Sequence, residues 1–283
     1  MFIYRMSNLD IKKVYIDSRF KTANSKSDSD FYIELPRTFN VPEGVVAHID
    51  DIVIPVSWST IDERNQNCYI RVSCGDALLE TKLTFEVKNY DGYQLAAALS
   101  TKLNAAVISF TPKPTFTTTY DHLENIHVIG MSDSRSQSQK DLTPLKLQII
   151  TDDTLKNGTM RISIPNTINT IIRNNVEKVI SEGYPYSCYL DLNQTRNLYL
   201  TSSALASYDT VSNFGNDTII KKIPVNAGYN KMIIHVAASG VDVLNVSKRT
   251  LKTIDFKLVD SSFRTIPLKD NHFSFSIIFQ HKR

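Results

Sequence analysis

The residues able to do acid–base or metal chemistry are scattered along this chain. Its histidines are His48, His122, His127, His235, His272 and His281. None pairs with another at the four-residue spacing that would set two imidazoles on one helix face for a metal. His122 and His127 are five apart and fall on opposite faces of a predicted strand. Cys68 and Cys74 flank another predicted strand with no second pair to complete a tetrahedral zinc site, which makes them small core residues. Nucleophile-elbow, P-loop and dinucleotide-binding glycine patterns are absent. Adjacent acids occur at Asp50–Asp51 and at Asp152–Asp153. Calcium binding or glycoside hydrolysis would need several acids to converge, whereas neighbouring acids on a strand or loop ordinarily form a solvated face. Trp58, the single tryptophan, closes the run IVIPVSW. It could stack on a sugar, or anchor a core or a subunit interface. This inventory predicts no catalytic residue, no cofactor and no metal.

The elements that would position these residues are mostly short strands. In 273–279, Phe273, Phe275, Ile277 and Phe279 alternate with Ser274, Ser276 and Ile278, the period of a strand with one buried face. Ile254, Phe256 and Leu258 alternate with Asp255 and Lys257 just upstream, and 263–268 forms a short run containing Pro267. These three runs predict a β-meander. The same alternation places Phe31, Ile33 and Leu35 on one face, and likewise Leu83, Phe85 and Val87, Leu145, Leu147 and Ile149, and Leu198 and Leu200. So many short strands predict an all-β sandwich or barrel. Two stretches have helical spacing instead: 91–104, opened by Asp91-Gly92, and 166–181. The second lies in a segment, about 151–186, that reads as an insertion between strands. Polar stretches at 131–141 and 201–218 predict long loops. The Ser/Asp/Lys-rich stretch 21–30 predicts a linker, making 1–25 an N-terminal arm before a single domain over 26–283.

Composition agrees with a packed domain. The chain has 283 residues, 42% of them hydrophobic, and 32 basic against 29 acidic residues give a net charge of +3. That balance predicts no specific nucleic-acid binding. Three cysteines argue against a disulfide framework. No stretch approaches the roughly 20 apolar residues of a membrane span.

Several phrases, in order, carry a resemblance. They are VYIDSRF at 14–20, IVIPVSWSTID at 52–62, YDGYQLAAALSTKLN at 90–104, LASYDT at 205–210, DTIIKKIPV at 217–225, LKTIDFKLVD at 251–260 and SFSIIF at 274–279. This set resembles the penton (minor capsid) proteins of virophages and of Polinton/Maverick (adintovirus-like) elements. The resemblance implies a single jelly-roll β-sandwich of two antiparallel sheets, with a short N-terminal arm, one or two short helices and the insertion. It implies a non-enzymatic capsid protein in the virion, made in the host cytoplasm or nucleus. Such a protein would form homopentameric vertices surrounded by the double-jelly-roll major capsid protein. It also implies a glycine in the turn where this chain has Ser261-Ser262-Phe263. On that reading Tyr15, Asp17, Arg19, Phe20 and Trp58 are expected at subunit or capsomer contacts. The alternative is a jelly-roll carbohydrate-binding module using Trp58 and loop tyrosines.

Overall fold

The computed structural model describes residues 11–63, 65–149, 179–181, 185–193, 195–207, 218–237 and 242–282. In chain order the strands are β1 (Lys12–Asp17), β2 (Asp30–Asn40), β3 (Val45–Pro55), β4 (Asn67–Cys74), β5 (Ala77–Thr84), β6 (Thr115–Asp121), β7 (Ile126–Ser132), β8 (Leu145–Ile149), β9 (Val179–Ile180) and β10 (Tyr186–Tyr189). They continue with β11 (Asn197–Thr201), β12 (Ile219–Pro224), β13 (Met232–Val236), β14 (Leu244–Asn245), β15 (Thr250–Val259) and β16 (Ser274–His281). The α-helices are α1 (Gly92–Ala106) and α2 (Gln137–Leu142). The chain divides into two compact units, one of residues 1–58 and 195–283, the other of residues 59–194.

The first unit is two antiparallel sheets, ordered β1-β16-β3-β13, with β14 also on β3, and β12-β11-β15-β2. Its pairing is nested. The first strand pairs with the last, β2 with β15, β3 with β13 and β14, and β11 with β12 innermost. A long hairpin rolled up so that its pairs alternate between two sheets is a jelly roll. The inner faces supply one core. Phe273, Phe275, Ile277 and Phe279 all lie in it, as do Phe31, Ile33, Leu35, Ile254, Phe256 and Leu258. Phe31 meets Phe273 edge-on at 5.6 Å and Phe256 meets Phe275 edge-on at 4.9 Å, the arrangement the ring quadrupoles favour.

Two expectations for this unit are corrected. Residues 12–17 are a sheet strand, not part of an arm: β1 pairs with β16 along its whole length and Ile16 is buried in the core. The alternation of Val14 and Ile16 was the available signal, and the polar stretch after it drew the boundary too late. The predicted meander is also absent. β15 and β16 lie in different sheets, and the run between them makes only an isolated bridge at Thr265 while burying Ile266 and Leu268. The crossing from one sheet to the other needs those residues as a bridge over the core edge.

The second unit begins after Trp58 and ends before Thr195, a wider span than the insertion expected at 151–186. Most of 151–186, including the helix expected at 166–181, lies outside the described residues. Two antiparallel sheets, β10-β7-β6 and β5-β4-β8-β9, share a separate core with α1. The helix starts as its sequence predicts: the Asp91 side chain accepts the Gln94 N–H, and the Gln94 side chain answers the Asp91 N–H. Leu95, Leu99 and Leu103 are buried, while Tyr93 faces out. Gly92 lies against the Tyr120 ring, which a Cβ at that position would displace. The loop predicted at 131–141 holds the end of β7 and the start of α2, whose Ser136 and Gln139 form a second capping box.

Candidate subunit-contact surface

In the first unit, β1 and β3 run the same way and β16 and β13 run against them. The segments after β1, after β3, before β13 and before β16 therefore meet at one end. Backbone and hydroxyl bonds join them there. Ser18 N–H donates to the Phe273 carbonyl at 3.0 Å, Val56 N–H to that of Lys231 at 2.8 Å, and the Ser57 hydroxyl to that of Leu268 at 2.7 Å.

All five residues expected at contacts belong to this end or to the edge strand leading to it. Tyr15 stands on the outer face of β1, 78% exposed, opposite Ser276. Asp17 closes the strand and caps the short 3-10 turn Ser18–Phe20. Its carboxylate accepts the Arg19 backbone N–H at 2.9 Å and receives the guanidinium as a two-pronged fork, Nε to Oδ1 at 3.1 Å and Nη2 to Oδ2 at 2.6 Å. That fork holds the Asp17 carboxyl below the ordinary carboxylate range. The Arg19 guanidinium also lies 5.9 Å from the centre of the Phe20 ring, and Phe20 is 75% exposed. Arg19 is thus engaged within its own chain by Asp17. Trp58 is half-buried against the core of the first unit at the point where the chain leaves it.

The outer faces of the two sheets differ. On the β12-β11-β15-β2 sheet, Glu34 pairs with Lys252 at 3.1 Å and Asp30 with Lys257 at 3.6 Å. Asp255 there accepts the Ser203 and Ala204 backbone N–H groups at 2.8 and 2.9 Å. The other sheet exposes large apolar side chains on its two edge strands. Met232, Ile234 and Val236 are 50%, 63% and 61% exposed on β13, a row that follows from the alternation in KMIIHV.

The remaining chemistry-bearing residues serve the fold. Cys68 and Cys74 are buried free thiols, and burial pushes the Cys68 thiol up to about 12, leaving it protonated at neutral pH. His127 is buried and its Nε2–H donates to the Gly92 carbonyl at 2.9 Å; desolvation lowers its pKa. His122 meets the Tyr93 hydroxyl at 3.1 Å, and His272 meets Asp28 at 3.2 Å. Asp50 and Asp51 lie where the β3–β16 register shifts, beside Lys13 and Ser276. Asp152 and Asp153 lie outside the described residues. Among the described residues, no three of His, Cys, Asp and Glu gather where they could hold a metal ion. No described helix is long and apolar enough to cross a membrane.

The nested sheets of the first unit define a jelly-roll β-sandwich whose edge strands β1 and β13 carry exposed apolar side chains. No family model and no curated protein matches the sequence. Among solved structures, the chain is similar to the selenomethionine-labelled mavirus penton protein, with a TM-score of 0.53 and 8% identity over 96% of this chain and 100% of that one. At that identity the likeness is one of fold.

Proposed function

We propose that this chain is a structural capsid protein that forms the pentameric vertices of an icosahedral double-stranded DNA virus or virus-like mobile element. The observation that carries the reading is the fold of the chain, with its nested jelly roll, which matches a penton chain along that chain's whole length. The ordered phrases running from VYIDSRF to SFSIIF support it independently. In this role the protein works by shape and contact, without catalysis. Its partners are further copies of itself and a double-jelly-roll major capsid protein, and its place is the virion shell after synthesis in the host cell. A five-fold ring is closed by one repeated, non-self-matching contact. We propose the jelly roll as the building block of that ring, with Tyr15, Asp17, Arg19, Phe20 and Trp58 near its contacts.

The carbohydrate-binding reading loses its main support, because Trp58 packs against the core instead of standing open as a stacking platform. The test is co-expression with the matching major capsid protein. Closed shells carrying this chain at their five-fold positions, seen by electron microscopy, are the expected result. Shells that close equally well without it, with none incorporated when it is present, would reject the vertex role.

A further inference from the structure

We infer that the two free edges of the β1-β16-β3-β13 sheet are the two unlike halves of a head-to-tail contact between copies of this chain. The inference rests on the vertex reading for closure of the ring and adds to it the surface that makes the joint.

The exposed large apolar residues of the first unit are not spread evenly. Among its described residues, all except Tyr32 lie on or next to these two edges. On one side are Ile11, Tyr15 and Phe20, exposed by 60%, 78% and 75%. On the other are Met232, Ile234 and Val236, with Tyr229 in the turn that enters β13. β1 pairs only with β16, and β13 only with β3, so each strand has one side without a strand partner among the described residues. Natural sheet edges are usually blunted by lysine, proline or a bulge. β13 has none of these over Met232–Val236, and its register on β3 is unbroken. An apolar edge left that way is kept soluble by being covered.

Area and symmetry point to a second copy as the cover. Each edge offers on the order of 300 Å² of apolar surface, judged from the usual size of such side chains. A stable protein contact buries about 800 Å² per partner, with an apolar centre and a polar rim. Each row therefore supplies the centre, and Lys13, Arg19 and Lys231 stand beside the rows for the rim. Like edges meeting would close a dimer about a two-fold axis. Unlike edges meeting leave one edge free at each end, so the chain of contacts continues until rotation closes it. The edges lie on opposite sides of one sheet and differ in residue type: aromatic and basic on β1, aliphatic on β13.

The test uses full-length protein and two variants, Tyr15→Asp and Ile234→Asp, each first checked for a wild-type melting temperature. Both sites are exposed, so both variants should fold. Light scattering over a concentration series should show wild-type protein rising above 32.0 kDa. Each variant alone should remain at that mass, with self-association weakened at least tenfold. The decisive sample is the equal mixture. Each variant keeps one good edge, so the mixture should form a one-to-one pair and go no further. If Tyr15→Asp still self-associates while Ile234→Asp does not, the contact joins like edges and the head-to-tail assignment falls. If both variants keep the wild-type mass, the edges are not the joint, although the vertex reading stands. Wild-type protein that stays monomeric but binds the major capsid protein, with both variants weakening that binding, would make the capsomer the occupant and overturn self-contact. Wild-type protein that stays monomeric without such an effect overturns the inference too. Shell incorporation decides the vertex reading separately.

Discussion

At the scale of single residues, two buried groups make stability depend on pH in different windows. His127 is held neutral because burial disfavours its charge. The unfolded chain takes up a proton near pH 6.5 and the folded one only at lower pH. Stability is therefore complete above that value and falls as pH drops through the interval below it. His127→Gln, which keeps a donor for the Gly92 carbonyl, should flatten this limb while leaving stability at pH 8 little changed. Thermal melts from pH 8 to 5 check it. Asp133 works at lower pH. Its carboxyl is held down by the Arg135 fork, whose donor–acceptor distances run from 2.6 to 3.1 Å. Its contribution is present above the ordinary aspartate value near 4 and is lost as pH falls through the depressed folded value. Asp133→Asn should remove that loss and lower neutral-pH stability by about 1–3 kcal/mol, because Arg135 would lose its carboxylate. Denaturant unfolding at pH 7 and pH 3 measures both effects. Neither role was legible in the sequence, where both residues look like ordinary polar positions. Phe263 is different. The family resemblance implied a glycine in the turn where this chain has Ser261-Ser262-Phe263, and here Phe263 has φ of +58°, in the region that glycine occupies freely. Its ring stacks on Tyr199 at 6.5 Å, a contact glycine would give up.

At the scale of elements, alternation was the reliable signal because the core-facing positions of these strands are large and apolar, even in β16, where Ser276 and Ile278 of the other face are buried as well. It located the core face of β16, β15 and β2 residue by residue. Phe256→Ala, which empties the centre of that face, should cost about 3–5 kcal/mol. Pattern reading misplaced elements whose role depends on distant partners. β1 is short and becomes a strand by pairing with β16. Its one local signal, the alternation of Val14 and Ile16, is too brief to tell a strand from an arm. Removing residues 1–17 should therefore unfold or aggregate the first unit instead of trimming a tail, because it would bare the edge of β16 and remove Ile16 from the core. Ile16→Ala alone should cost about 2–5 kcal/mol. Circular dichroism melts of the two variants would show both effects. α1 was legible for a different reason: its cap and apolar spacing are contained in one continuous stretch.

At the scale of the whole molecule, the resemblance implied a jelly roll of two antiparallel sheets, and the first unit has them. Their nested order depends on pairings between residues far apart in the chain, which no window of local sequence contains. The same limit hid the extent of the second unit. Its core gathers Ile61, Leu95, Phe116 and Leu190 from segments that read separately as strands, a helix and a connection. The candidate contact residues were legible only as an ordered phrase, and the β13 row became meaningful once that strand was found at a free edge.

The nesting has a consequence in time as well as in space. A rolled hairpin whose outermost pair joins Lys12 to Phe279 cannot finish its first sheet until nearly the entire chain has been made. The second unit draws on one unbroken span and can settle while the ribosome is still working. Until β16 emerges, β1 and β3 both wait for the strand that belongs between them. Contacts of such long reach form slowly. A chain interrupted before its last strand would hold a finished second unit and an open first one, and so would be cleared or clump before it could be built into anything larger.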